Sequence, residues 1–216
     1  MNLLILAANG QIARIVEHRI LTEPTFKDIN LTLGLRNVSR LNTLSNNPRV
    51  RLIEVNLDDT DEVKSAMANQ DIVFSAVVDH DKNNRPTKNI IAAAKKTGTK
   101  RIISTSLLGL YNEVPGEFGQ WNQQMVASGL VTAINADKLL SESGITYTTL
   151  RLPWLNDRDE VNYHITTRHE PYVGVSGSRQ SIADVVLKIV ADPTFAANDS
   201  IGIADPATQG ENRPVY

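Results

Sequence analysis

The sequence predicts a doubly wound α/β fold, a parallel sheet with helices on both faces and a small C-terminal lid. Three observations lead there. Short, continuously apolar runs alternate with segments of helical spacing along most of the 216 residues. The intervening helices span about 10–15 residues, the length of a crossover between parallel strands. Crossovers of that kind are right-handed, so successive units cover both faces of the sheet.

Leu3–Ala8 reads as the first strand, apolar without interruption as a strand buried on both faces must be. Ile12, Ile15, Val16 and Ile20 then recur at helical spacing, with Arg14, Glu17 and Arg19 on other faces. "TEPTFKD" breaks that helix, and "INLTLGLR" is the second strand. "RVRLIEVNL" is the third, followed by "DDTDEVKSAMANQ", a short helix whose acidic first turn suits the positive end of the helix dipole. "DIVFSAVV" is the fourth strand, and "RPTKNIIAAAKKTG" a helix with Pro86 near its start and Gly98 at its end.

"KRIISTSLLG" and "ITYTTLRL" are the fifth and sixth strands. Between them the long segment Tyr111–Gly144 turns helical in its second half, "VTAINADKLLSESG", which ends on a glycine cap. After Pro153 the pattern loosens. One more helix lies in "SRQSIADVVLKIVADP", where Ser181 and Asp184 make a capping-box-like start. "SIGIA" is a last strand and "DPATQGENRPVY" an irregular polar tail, and no internal repeat or low-complexity tract is present. Residues 1–216 read as one domain, with those after about Leu152 forming the lid.

Composition narrows the function classes. Hydrophobic residues make up 41% and charged residues 21%, enough for a packed core. A net charge of −2 provides no basic field for nucleic acid or for an acidic membrane. The absence of cysteine excludes disulfides and thiolate chemistry, and permits a reducing compartment. Met1-Asn2 leads straight into an apolar strand without a charged leader, and no run approaches the roughly 18 apolar residues of a membrane helix. The expectation is a cytoplasmic protein, monomer or homodimer, that acts on a small molecule.

In doubly wound sheets ligands lodge outside the carboxyl ends of the strands. The segments there are Ala7–Ile12, Arg36–Arg40, Asn56–Asp59, Ala76–Asp81, Thr105–Tyr111 and Leu152–Asn156. A dinucleotide loop needs a tight turn, a residue without bulk where the pyrophosphate approaches, and a small residue where helix meets strand. Ala7, Gly10 and Ala13 supply that spacing with a single glycine, and Asn9 tolerates left-handed backbone. An ordinary first strand and helix is the competing reading of the same residues. At the end of the second strand, where an acid would take a free ribose 2′-hydroxyl, the chain has Arg36, Asn37 and Arg40. Arginine there suits a 2′-phosphate and hence NADP(H), against the alternative of solvated surface charges.

"LILAANGQIA", "GLRNVSRL", "VNLDDTDEV", "KRIISTSLLGLY" and "SGITYTTLRLPWL" together, in this order, resemble the atypical short-chain dehydrogenase/reductases. The nearest branch is the small NAD(P)H-binding, NmrA-like group that includes biliverdin reductase B and flavin reductase-like proteins. The likeness runs from Met1 to about Gly202. It implies a Rossmann-like fold in which Ala8, Asn9, Gly10, Gln11 and Ile12 hold the pyrophosphate and Arg36 the 2′-phosphate. Asn56 and Leu57 would flank the adenine, with Asn56 departing from the group's usual aspartate. Ala76 and Val77 would pack near the ribose, Thr105 and Ser106 near the nicotinamide, and Pro153, Trp154 and Leu155 over it.

Carbonyl reduction in the wider group uses a serine plus Tyr-x-x-x-Lys, whose lysine lowers the tyrosine pKa. No tyrosine here is followed by lysine at the fourth position. Counting back from "SGITYTTLR" puts Ala133 in the lysine's place, and Lys138 lies one turn too late. Alcohol and ketone chemistry is therefore disfavoured. One reading left is an NADPH-dependent reductase of a flat conjugated acceptor such as a flavin or quinone, with Ser106 or Tyr111 hydrogen-bonding it. The other is a cofactor-binding redox sensor without turnover.

"DHDK" (Asp79–Lys82) reads as a polar loop before a metal site, because adjacent residues rarely converge on one ion. Trp154 either stacks near the nicotinamide or packs the lid, and for Trp121 packing is the stronger reading. Arg151 reads as structural, pairing with a carboxylate at the sheet edge. His164, Arg168 and His169 read as solvated surface before an anion site.

Overall fold

The computed structural model describes residues Met1–Tyr216. Its first half alternates β1 (Asn2–Leu6), α1 (Gln11–Thr22), β2 (Asn30–Leu35), β3 (Val50–Glu54), α2 (Thr60–Met67), β4 (Ile72–Ser75) and α3 (Arg85–Thr97). There follow β5 (Arg101–Ser106), α4 (Gly116–Ser141), β6 (Thr146–Arg151), β7 (Trp154–Asn156) and β8 (His164–Thr166). The chain ends with β9 (Ser176–Ser178), α5 (Arg179–Ala191) and β10 (Asp199–Ala204). Eight strands make one sheet in the order β3-β2-β1-β4-β5-β6-β10-β8, and β7 and β9 pair separately. All pairings in the large sheet are parallel except β10 with β8 at the edge.

The uninterrupted apolar sequence of β1 has a direct cause. Leu3 and Ile5 enter a core shared with α1 and α5, while Leu4 and Leu6 enter a second core shared with α2, α3 and α4. Both faces are covered, so no position on this strand is free to be polar. The strand stops two residues short of the sequence reading because Ala7 takes a left-handed backbone, φ 58°. No helix is long and apolar enough to cross a membrane.

Four corrections to the sequence reading carry physical content. The helix expected over the second half of Tyr111–Gly144 begins at Gly116 and runs for 26 residues. Its first half shows no clean apolar stripe because Phe118 and Trp121 pack locally, against a small third core with Leu108, Tyr172 and Trp154. Gly119 is obligatory in the first turn of α4, since a Cβ there would lie 2.0 Å from the Val114 carbonyl oxygen. The cap of α5 is Ser178, whose side chain accepts from the Ser181 N–H at 3.0 Å. Asp184 instead accepts from Arg19 of α1 at 3.0 Å, tying α5 to α1.

The third correction concerns Glu17, which is buried in spite of its place on the polar side of the helical pattern. The fourth concerns the tail, which is held in place: the Val215 N–H donates to Ser176 Oγ at 2.8 Å, and Arg213 lies 5.3 Å from the Trp121 ring. Beyond Leu152 the chain divides between the β7–β9 pair and the main sheet. There β10 joins β6, β8 joins β10, and α5 packs on α1.

Candidate functional site

From β1 the chain winds outward to β2 and β3, and after α2 it returns to β4 on the other side of β1. Such a switch opens a crevice at the carboxyl ends of the two central strands. The first turn of α1 points into it. The Gly10 N–H donates to the Ala7 carbonyl at 3.0 Å, closing the turn that the left-handed Ala7 begins. Gly10 is the N-cap of α1, yet no side chain caps the helix and no acid stands in its first turn. The N–H groups of Gln11, Ile12 and Ala13 therefore meet the crevice without a partner in the chain. Free donors and the positive end of the dipole make a phosphate cradle.

A Cβ on Gly10 would sit 3.4 Å from the Ala7 oxygen and 3.7 Å from the Ala76 oxygen, ordinary contacts for the protein alone. The fold tolerates a methyl there, so no packing within the chain demands this glycine. Ala8 is buried, with its N–H donating to the Gly34 carbonyl at 3.1 Å, and Ala13 is buried where helix meets strand. Asn9 and Gln11 are exposed, and Ile12 belongs to the core.

Beside this cradle, β2 ends at Leu35 and releases Arg36 and Arg40 to the surface, each exposed and in no ion pair within the chain. Asn37 holds the following turn, its Oδ1 accepting from the Ser39 N–H at 3.1 Å and the Ser39 hydroxyl at 2.6 Å. Two unpaired guanidinium groups one strand away from a phosphate-binding helix start suit a second phosphate. The residues present thus fit a phosphorylated dinucleotide. Asn56 organises its own loop, Oδ1 accepting from the Asp58 N–H at 3.1 Å. Leu57 and Val77 meet in one pocket with Ser75, Val78, His80 and Thr87, and Ala76 stands beside it at the end of β4.

The end of β5 divides its two polar residues. The Thr105 hydroxyl is buried and donates to the Ser75 carbonyl at 3.2 Å, so it joins two strands rather than opening onto the crevice. Ser106 lies on the opposite face, in register with Arg151 of β6. The Arg151 guanidinium is buried, bound to Glu113 at 2.6 Å and to the Thr166, Thr167 and Ser200 carbonyls. Tyr111 covers it at 5.4 Å from the ring centre and donates its hydroxyl to the buried Asp137 of α4. Burial and the Asp137 carboxylate hold that phenol above its ordinary range, so Tyr111 is a neutral hydrogen-bonding group there. Asp137 carried no motif; its only sequence signal is an acid on the buried side of "INADKLL".

Pro153, Trp154 and Leu155 do not share one surface. Pro153 is buried against Gly177, Leu155 packs on the large core, and the Trp154 indole N–H donates to Asn122 Oδ1 at 3.0 Å. Trp154 and Trp121 lie 4.6 Å apart, which supports the packing reading of both. Arg168 binds Asp199 at 2.9 Å and the Tyr147 hydroxyl at 2.5 Å, so it serves the sheet edge rather than an anion. Asp79 is buried and accepts from the Thr87 hydroxyl at 2.6 Å, a structural use of the "DHDK" loop.

Comparison with known proteins agrees with this geometry. A family model described as NAD(P)H-binding matches residues 7–193. A wide-type short-chain dehydrogenase/reductase from Veillonella parvula, solved in complex with NADP, is 26% identical over 100% of this chain and 99% of its own, with a TM-score of 0.90. A Rossmann-fold NAD(P)-binding family protein from Shigella flexneri is 30% identical over 100% and 98%, with a TM-score of 0.77. An anaerobillin reductase from Escherichia coli O157:H7 shares the fold, with a TM-score of 0.78 at 15% identity over 98% and 100%. No curated protein sequence matches the chain. With an uncapped helix start at the switch point of its sheet and a family match across most of its length, this chain belongs to the NAD(P)H-binding family, on the fold of the short-chain dehydrogenase/reductases.

Proposed function

We propose that the protein is an NADPH-dependent reductase that delivers hydride to a flat conjugated acceptor such as a flavin or quinone. The observation that carries the NADP(H) assignment is the pair of unpaired arginines, Arg36 and Arg40, beside the open start of α1. The NADP complex of the Veillonella parvula neighbour supports it. When bound, the dinucleotide supplies the hydride, and the protein supplies binding, orientation and water exclusion. Ala8 to Ile12 receive the pyrophosphate, Arg36 the 2′-phosphate with Asn37 holding the turn, Asn56 and Leu57 flank the adenine, and Ala76 and Val77 pack near the ribose.

Ser106 faces the acceptor side of the crevice, and Tyr111 borders it. Of the segment after Leu152, only the β7–β9 pair stands apart from the main sheet, and it is the part that would act as a lid in a cytoplasmic protein. An acceptor whose reduced form is a stabilised anion needs little acid–base help. That suits a helix with Gly129 and Ala133 in place of a tyrosine–lysine pair.

The same pair of small residues favours a second reading, a cofactor-binding redox sensor that never turns over. Titration of Arg36→Ala with both dinucleotides tests the assignment. NADPH affinity is expected to fall about 10- to 100-fold, the worth of one charge-assisted bond, with NADH affinity unchanged. Equal NADPH affinity in the variant would remove the basis for it. Wild-type NADPH oxidation against FMN, riboflavin and several quinones separates reductase from sensor, because tight binding with no turnover on any of them identifies the sensor.

A further inference from the structure

α4 presents one position without a side chain to the strand ends, and another element covers it. A Cβ on the buried Gly129 would lie 3.1 Å from Nδ1 and 3.3 Å from Cε1 of His80, and 3.0 Å from Cδ1 of Leu107. The His80 imidazole therefore stands on bare helix backbone, across from the residue that follows Ser106. Ala133 holds the lysine's place, so Gly129, four residues earlier, holds the tyrosine's.

The loop that carries His80 is fixed by its neighbours. Buried Asp79 accepts from the Thr87 N–H at 3.2 Å, the Thr87 hydroxyl at 2.6 Å and the Asp81 N–H at 2.9 Å. Asn84, left-handed at φ 51°, donates from Nδ2 to the Thr132 carbonyl of α4 at 2.9 Å, and the Thr132 hydroxyl donates to the Gly129 carbonyl at 2.9 Å. These bonds set the loop on α4 around Gly129 and use neither imidazole nitrogen. His80 is exposed, and α4 bears no charged side chain between Glu117 and Asp137. Of the two carboxylates that flank it, Asp79 is taken up by Thr87 and Asp81 by Arg85 at 2.9 Å.

We propose that His80 is the proton donor of the acceptor site, its imidazole occupying the place on α4 that a tyrosine side chain would otherwise fill. The proposal rests on the reductase reading above. A quinone acceptor takes a hydride, two electrons and one hydrogen, from the reduced nicotinamide, and one proton from the His80 imidazolium at its oxygen. Solvent then returns a proton to the exposed imidazole. In sum one NADPH, one quinone and one proton become NADP⁺ and hydroquinone. Histidine is the side chain suited to such exchange near neutral pH.

The test uses full-length protein labelled with ¹⁵N-histidine, whose four histidines allow His80 to be assigned from the spectrum of His80→Gln. With NADP⁺ present, the naphthoquinone menadione is expected to move the His80 ring resonances and leave those of His18 on α1 in place. His80→Gln is expected to lower menadione-dependent NADPH oxidation about 100-fold, the scale of a general acid, with the NADPH Kd unchanged. Gly129→Ala, whose methyl displaces both the imidazole and Leu107, is expected to lower turnover in the same direction. Ring resonances indifferent to menadione, or wild-type turnover in His80→Gln, overturn the proposal. Shifted resonances in a wild-type protein that oxidises no NADPH would instead sink the reductase reading while keeping His80 at the acceptor.

Discussion

Glu17 shows how a single position responds to what folds over it. Its helix spacing sets it apart from the apolar stripe of α1 with Arg14 and Arg19, yet it is 2% exposed. Burial pushes its carboxyl from 4.5 up to about 7, against the Arg14 guanidinium at 3.0 Å. The folded state therefore holds a proton that the unfolded chain has already released. The resulting stability is fully present below about pH 4.5 and is lost as pH rises through about 7. Denaturant midpoints measured from pH 5 to pH 8 are expected to fall across that window, and Glu17→Gln to flatten the fall and exceed wild type at pH 8. An unchanged slope in Glu17→Gln would assign the pH dependence elsewhere. The burial of Glu17 was not legible in sequence because the helical period marks the apolar stripe of α1 but not how far the packing reaches beyond it.

At the scale of elements, the connection from β5 to α4 depends on one buried ion pair. Glu113 and Arg151 are 3% and 0% exposed and 2.6 Å apart. The Glu113 carboxylate also accepts from the Gly109 N–H at 3.1 Å and the Tyr111 N–H at 2.9 Å, so it sets the loop that carries Tyr111. Arg151 in turn joins β6 to β8 and β10 through three carbonyls. Removing one partner of a buried pair strands the other, at a cost of about 3–5 kcal/mol. Glu113→Ala is expected to lose that much by urea unfolding, and a loss under 1 kcal/mol would mean that Arg151 finds another counter-charge. The sequence marked Arg151 as structural because it ends a strand beside a proline, and its carboxylate partner was left open. The first half of α4 was illegible for a related reason. Its aromatic residues answer to Trp154 and Tyr172, not to the helix's own period.

For the whole molecule, the α1 start, the β2 arginines and the β3–α2 loop converge because β3, β2, β1 and β4 are neighbours in that order. A ligand spanning them binds only the folded chain and stabilises it by mass action. NADPH at about 100 times its Kd adds about 2.7 kcal/mol. For a chain of this size that raises the melting temperature by about 5–10 °C. Thermal unfolding with NADPH, repeated with NADH at the same concentration, is expected to show the larger shift for NADPH. Equal shifts would argue against a 2′-phosphate site.

The sequence by itself determined the order of β1 to β6 and β10 with the helices between them, though not the short strands β7, β8 and β9, together with the two-sided burial of β1 and the spacing of Ala7, Gly10 and Ala13. These follow from local periodicity and residue volume, which need no distant partner. It also determined that no tyrosine is followed at the fourth position by lysine. Only the tertiary structure decided that Thr105 turns into the sheet, that Pro153 and Trp154 pack away from a common surface, and that His80 stands on Gly129. Each of those depends on which face of one element meets another, a property of packing across residues far apart in the chain.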